Sequence, residues 1–248
     1  MTYCLGILSR AGLVLASDGR SNAGVDQITK VVKLNLVSVP GERMICIQSA
    51  GNLATSQAVV TELEEAAGKG DPLEDLHLCK SMFEAAHVVG ERLRRVHDSD
   101  VKYVEPYGDP SASFLVGGQI KGEAPRLFQV YPAGNFIEAS PRAPFLQIGE
   151  TKYGKPILDR TLTSDTSLDE AAKLALLSFD ATIRSNLSVG LPIDLLRYEA
   201  DSFAADNLIT VEEHNLYWRE LRVSYAGGLA ALVASLEPPP AAGASDVL

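Results

Sequence analysis

The sequence predicts an α+β domain in which two antiparallel sheets stack between helical layers. Three observations carry that expectation. The first fifty residues are consecutive short strands joined by turns. At Asn52 the apolar period changes from two to about 3.6 residues, marking a pair of helices. Beyond these the order runs strands, helix, strand, helix, so each run of strands has helices to cover it.

Tyr3 to Ser9 reads as a strand, Arg10-Ala11-Gly12 as a turn and Leu13 to Ser17 as a second strand, together a hairpin. Asp18 to Gly24 is rich in turn residues and reads as a loop. Lys30 to Val39 is β-branched and apolar, a third strand that carries Lys33. Gly41-Glu42 turns it into a fourth strand, Arg43 to Ser49. Asn52 suits a helix cap, and Leu53, Val59, Val60, Leu63 and Ala67 recur at helical spacing up to Gly68 and Gly70. A second helix is expected from Asp71-Pro72 to Asp98, with Leu76, Met82, Phe83, Ala86, Val89 and Leu93 as its apolar stripe. Strands are expected at 113–116, 126–131, 135–139 and 145–148, the middle two flanking Pro132-Ala133-Gly134. A third helix covers Leu168 to Asn186, with Ser167 and Glu170 at capping-box spacing. Ile193 to Phe203 alternates as a strand, and Val211 to Leu236 reads as a helix that packs on the surface or against a partner.

No linker interrupts residues 1–236, which are expected to form one domain. Residues 237–248, with three consecutive prolines, lack a core pattern and are expected to be a flexible tail. A chain of 248 residues that is 46% hydrophobic and 22% charged has enough apolar surface for a sizeable core, which excludes global disorder. No run approaches the roughly 18 apolar residues of a membrane span. The formal net charge of −10 disfavours phosphate backbones and anionic lipid surfaces, so neither a nucleic-acid nor a membrane partner is expected. Cys4, Cys46 and Cys79 form no paired or metal-ligating spacing, and no secretory signal opens the chain. Both features fit a reducing cytoplasm. His77, His87 and His97 recur every ten residues, a turn of about 1000° on a helix, so they share no metal-binding face.

The chemistry begins at Thr2. An initiator Met is generally removed before a small residue, which leaves a threonine carrying a hydroxyl and a free α-amine. An α-amine titrates at about 7.7–8.0, so it is available as a base near neutrality. Nucleophile and base then sit on one residue. A cation nearby would favour the neutral amine, and a carboxylate would orient that cation. Asp18 at the end of the second strand and Lys33 in the third can both lie on strands adjacent to the one Thr2 leads. Each has a plainer explanation: an Asp at a strand end commonly caps a loop, and Lys33 could be a solvated strand lysine. The apolar neighbours Val31, Val32 and Leu34 argue for a buried-facing lysine.

The larger pattern resembles the proteasome β-subunit family, most of all its bacterial Anbu branch. The resemblance rests on Thr2, Ala16-Ser17-Asp18-Gly19-Arg20-Ser21-Asn22-Ala23-Gly24, Val25-Asp26-Gln27-Ile28, Lys33, Ser49-Ala50-Gly51-Asn52 and the stretch from Ile148 to Arg160. It implies the N-terminal nucleophile hydrolase fold, a four-layer αββα sandwich. It also implies a threonine peptidase secluded in a ring or shallow helical homo-oligomer and acting on peptides or unfolded protein. In that likeness Thr2 matches the nucleophile, Asp18 the buried carboxylate, Lys33 the catalytic lysine and Gly51 the oxyanion-facing amide. Arg20 matches a structural arginine, and Ser49 and Leu53 the primary specificity pocket. The chain departs from the family in two places. Glu150 stands where a supporting serine is usual, and Ser185 and Ser188 stand where an aspartate and a serine are usual, so only Ser188 keeps its type. The expected chemistry needs no metal or organic cofactor. With no propeptide before Thr2, aminopeptidase trimming suffices. No ATP-binding motif is present, so energy-dependent unfolding would come from another protein. Two other functions stay open on sequence grounds: an amidohydrolase acting on a small non-peptide amide, and a non-catalytic assembly subunit if Met1 is retained.

Overall fold

The computed structural model describes residues 2–22, 28–71 and 73–239. In chain order these form β1 (Tyr3–Ser9), β2 (Gly12–Asp18), β3 (Arg20–Asn22), β4 (Ile28–Lys30), β5 (Leu34–Val39), β6 (Arg43–Gly51), α1 (Leu53–Ala66), α2 (Met82–Val104), β7 (Ala112–Ile120), β8 (Arg126–Val130), β9 (Phe136–Glu138), β10 (Phe145–Gly149), α3 (Lys155–Thr161), α4 (Leu168–Ser185), β11 (Ile193–Glu199), β12 (Leu208–Val211) and α5 (Leu216–Ser235). One five-stranded antiparallel sheet has the order β10-β1-β2-β11-β12, a second the order β5-β6-β7-β8-β9, and β3-β4 is a separate two-stranded ribbon.

Side-chain alternation builds the layers. In β2, Leu13 and Leu15 face the other sheet, where they pack with Met44, Cys46, Leu115 and Leu127. Val14 and Ala16 face the opposite way, onto Leu158, Ala175 and Phe179 of α3 and α4. In β6, Ile45 and Ile47 take Val59 of α1 and Met82, Val89 and Leu93 of α2. Every residue of β2 is therefore buried. The result is the αββα sandwich of the N-terminal nucleophile hydrolases.

Several elements differ from the sequence expectation, each for a local reason. The expected loop at 18–24 is partly strand: Arg20 pairs with Lys30 and Asn22 with Ile28, while residues 23–27 lie outside the described residues. The expected strand from Lys30 to Val39 is broken at residues 31–33. Val31 N donates to Gly19 O at 2.8 Å, and regular pairing resumes only at Leu34 with Gln48. The second helix starts at Met82 and runs to Val104. Buried Asp75 instead organises the chain before it, accepting from Gly68 N at 2.7 Å and His77 N at 2.8 Å. The expected start at Pro72 lies outside the described residues. Ile193–Glu199 ends before Phe203, because Asp201 and Phe203 adopt left-handed backbone at φ 64° and 48°. Helix α3 and strand β12 are additional elements, and α5 starts at the Asn215 cap, after β12. Most of the expected tail, from residue 240, lies outside the described residues.

Tyr3 anchors the first strand. Its ring lies 4.5 Å from Phe179, centroid to centroid. Its hydroxyl lies 2.8 Å from Ser178 Oγ and accepts from Gln147 Nε2 at 2.5 Å. Burial pushes the phenol up to about 12, against the weaker pull of those two hydrogen bonds. The folded phenol thus titrates above its unfolded value of about 10, and its stabilising contribution is intact below pH 10 and lost as pH rises toward 12. Tyr3→Phe is expected to lower the urea-unfolding free energy by about 1–3 kcal/mol, since Ser178 and Gln147 lose a partner. It should also remove this part of the stability loss in alkaline titrations followed by circular dichroism.

Candidate active site

The site forms where β1 and β2 end together at one edge of the sandwich. Thr2, half-buried, directly precedes β1. Its carbonyl accepts from Glu150 N at 2.7 Å, and the next amide, Tyr3 N, donates to Asp18 Oδ1 at 3.0 Å. Asp18, the last residue of β2, is fully buried. The same Oδ1 accepts from Lys33 Nζ at 2.7 Å, and Lys33 also donates to Arg20 O at 2.6 Å. One carboxylate oxygen therefore joins the lysine to the peptide group that follows Thr2. The other, Oδ2, accepts from Gly190 N at 3.2 Å and Arg20 N at 3.3 Å.

Burial pushes the Asp18 carboxyl above the usual carboxylate range, and the Lys33 ammonium and the Tyr3 and Gly190 amides pull it back down. Lys33 is only 4% exposed. Desolvating such a pair costs several kcal/mol per ion and is offset only by near-complete hydrogen bonding, so it contributes little net stability. Ion pairs buried this deeply are concentrated at functional sites, which makes this one a candidate.

Lys33 is not on a strand, as the sequence suggested, but in the break between β4 and β5. The break frees its side chain to turn down onto Asp18, while its carbonyl accepts from Ser49 N at 3.2 Å. Ser49 is buried, and Leu53 is half-buried at the start of α1, one residue after the Asn52 cap. Between them lies Gly51, the last residue of β6, opposite Ala112 of β7. Asn52 N donates to Ser111 O at 2.8 Å, which places Gly51 in a wide pair of that ladder. Its own N–H therefore points away from β7, to the side where Ser49 meets Lys33. There β5 has already ended, so among the described residues the amide has no strand partner on that side. Gly51 has φ +110°, and a Cβ on it would strike the Ser111 carbonyl, so glycine is required.

The remaining residues gather on the turn after α4. Arg20 Nη1 donates to Leu187 O at 2.7 Å. Ser185 is the exposed last residue of α4, and Ser188 is half-buried, its amide donating to Asn186 Oδ1 at 2.9 Å. Glu150 is buried and its Oε2 accepts from Asn186 Nδ2 at 2.9 Å. The structure thus brings Thr2, Asp18, Lys33, Arg20 and Glu150 into one hydrogen-bonded set. Ser185 stays outside that set, and Ser188 enters it through its backbone. Asn186 and Gly190 were not singled out from sequence. The Asn-x-Ser spacing after a helix end, which favours an Asx turn, was the available signal for Asn186.

A family model described as "Proteasome subunit" matches residues 94–195. A solved structure described as Anbu (ancestral beta-subunit) from Yersinia bercovieri is 45% identical with a TM-score of 0.90, covering 96% of this chain and 99% of that one. The chain belongs to the Anbu branch of the proteasome β-subunit family. Similar agreement is found with an Anbu (Gly-1) mutant from Hyphomicrobium sp. strain MC1, at 46% identity and a TM-score of 0.91, covering 97% of this chain and 100% of that one. The helical assembly of the Anbu complex from Pseudomonas aeruginosa gives 46% identity and a TM-score of 0.93, covering 97% and 99%. No curated protein sequence matches. Among the described residues no helix is long and apolar enough to cross a membrane.

Breaking the buried pair from one side leaves the other charge uncompensated. Asp18→Asn and Lys33→Met are each expected to destabilise the fold by about 3–5 kcal/mol. The double variant should cost clearly less than the sum, a coupling that denaturant titration of the four proteins measures.

Proposed function

We propose that this Anbu-family chain is a threonine peptidase whose nucleophile is Thr2, exposed by removal of Met1. The observation that carries the reading is the single Asp18 oxygen that holds both Lys33 Nζ and the amide following Thr2. It supports a lysine stationed beside the threonine, with Asp18 orienting it and balancing its charge.

Thr2 Oγ attacks the carbonyl carbon of a peptide bond, and its proton passes to the Thr2 α-amine, directly or through water. The Lys33 ammonium lowers the cost of the developing alkoxide and favours the neutral amine. The tetrahedral oxyanion accepts from Gly51 N–H, a donor whose loss in other hydrolases costs about 2.7–4 kcal/mol. The carbon–nitrogen bond then breaks, and the leaving amine takes the proton from the Thr2 ammonium. Water attacks the resulting ester, giving up a proton to the same amine, and frees Thr2. Arg20 holds the 186–190 turn against Asp18 through the Leu187 carbonyl. Ser188 supports that turn, Ser185 has no part in it, and on this reading Ser49 and Leu53 meet the substrate side chain. The free, buried state of Cys4, Cys46 and Cys79 fits action in the reducing cytoplasm.

The enzyme works as a homo-oligomer, and we infer that α5 is a contact between copies. The segment from Ala226 to Leu236 carries no charge. It leaves Leu229, Leu232, Val233 and Leu236 at least half exposed in the single subunit. Beside it a groove of about 550 Å³ is lined by Ile157, Leu174, Leu177 and Leu229. An uncharged helix surface of this kind is ordinarily covered, and the Pseudomonas aeruginosa relative is described as a helical assembly.

Intact-mass measurement of the purified chain should show loss of Met1, and a peptide electrophile should label Thr2. Thr2→Ala should abolish both labelling and turnover of peptide substrates. Undiminished turnover in that variant, or turnover confined to non-peptide amides, contradicts the proposal. Leu229→Asp combined with Leu232→Asp should shift the sedimentation profile from large assemblies to small species while leaving the subunit folded.

A further inference from the structure

Glu150 is a buried acid, 4% exposed, one residue past the end of β10, the strand paired with β1. Tyr3 pairs with Gly149, and Glu150 N donates to Thr2 O at 2.7 Å, so the register carries on by one residue and sets Thr2 directly opposite Glu150. The close approach depends on Gly149, whose φ is +82° and where any Cβ would strike the Thr2 carbonyl.

The two carboxylate oxygens differ. Oε2 is held by Asn186 Nδ2 at 2.9 Å. Oε1 is buried and has no hydrogen-bond partner among the described residues. The nearest cation, the exposed Lys152, leaves its Nζ 3.7 Å away, beyond hydrogen-bond distance. A buried oxygen left without a partner is costly, so it calls for a donor. Removal of Met1 creates one next to it: an α-ammonium with three N–H groups on the opposed residue. Asn186 aims the acid, because its Oδ1 is fixed by Ser188 N and its Nδ2 by Glu150.

We propose that Glu150, oriented by Asn186, binds the Thr2 α-ammonium and thereby tunes the base of the reaction. The proposal rests on the reading that Thr2 becomes the first residue. Four charged groups lie around that ammonium: Asp18 at the end of β2, Lys33 from the β4–β5 break, and Glu150 and Lys152 after β10. Arg20 is turned away to the Leu187 carbonyl. Lys33 favours the neutral amine, and Glu150 favours the charged one. Glu150 thus opposes Lys33, makes the amine a stronger proton acceptor and moves the onset of its base form to higher pH. This assigns Glu150 a positioning and tuning role where the serine of the wider family carries no charge.

The test reads the amine directly. The chain is released from a cleavable fusion so that Thr2 is first. The pH dependence of α-amine acetylation by trace acetic anhydride is then followed by mass spectrometry of the N-terminal peptide. Glu150→Gln is expected to lower the titration midpoint by about one pH unit or more. Glu150→Asp should retain part of the wild-type midpoint, and Asn186→Ala, which frees the acid, should lower it by a smaller amount. An unmoved midpoint in Glu150→Gln overturns the proposal. If that variant does not fold, an unmoved midpoint in Asn186→Ala does so. A shifted midpoint in a chain that cleaves no peptide would retire the peptidase reading and leave this one standing. Peptide cleavage with an unmoved midpoint would do the reverse.

Discussion

The Asp18 carboxylate is the constraint on which the rest of this site depends. It is fully buried and accepts four hydrogen bonds, from Tyr3 N, Lys33 Nζ, Arg20 N and Gly190 N. Those donors come from the first strand, the break before β5, the start of the β3–β4 ribbon and the turn after α4. A buried anion must be satisfied on all sides, so four separate stretches of chain are drawn to one point. The sandwich supplies the ends of β1 and β2 side by side, and the anion converts that proximity into fixed geometry.

The same economy governs the neighbouring groups. The end of β5 at Leu34 leaves Gly51 N–H without a strand partner among the described residues on the Lys33 side, so the ladder itself frees a donor there. Asn186 uses both ends of its amide, one for Ser188 N and one for Glu150. On the proposed reading, charge around Thr2 is thereby divided, with a lysine on one flank and a second acid on the other. That division separates this site from one in which a lone cation sets the basicity of the amine.

Much of this was legible in the sequence. The two sheets followed from alternation and turns, and the helices α1 and α4 followed from the Asn52 cap and the Ser167–Glu170 capping box, both present in the structure. Thr2, Asp18 and Lys33 were picked out by residue type together with the family resemblance, since type and order alone are weak signals, and the structure joins Asp18 to Lys33 and to the amide that follows Thr2. The break at residues 31–33 was not legible. Its apolar, β-branched composition favours a strand, and only the long-range pull of Asp18 and the Gly19 carbonyl overrides that preference. The 71–81 segment misled for a related reason: Leu76 and Met82 continue a helical stripe, but Asp75 diverts the backbone amides around it into turns. Asn186 was hidden by its position at a helix end, where an Asn is ordinarily read as a stop signal. Ser185, which could equally end the helix, is the exposed last residue of α4.

The most direct measurement is a crystal structure of the chain beginning at Thr2 bound to a peptide boronate, a mimic of the tetrahedral intermediate. The account predicts a covalent bond from Thr2 Oγ to boron and a boronate oxygen accepting from Gly51 N–H. It also predicts Lys33 Nζ within hydrogen-bond distance of Thr2 Oγ while still paired with Asp18. A boronate bonded elsewhere, or a Thr2 side chain directed away from Lys33 and Gly51, would contradict it.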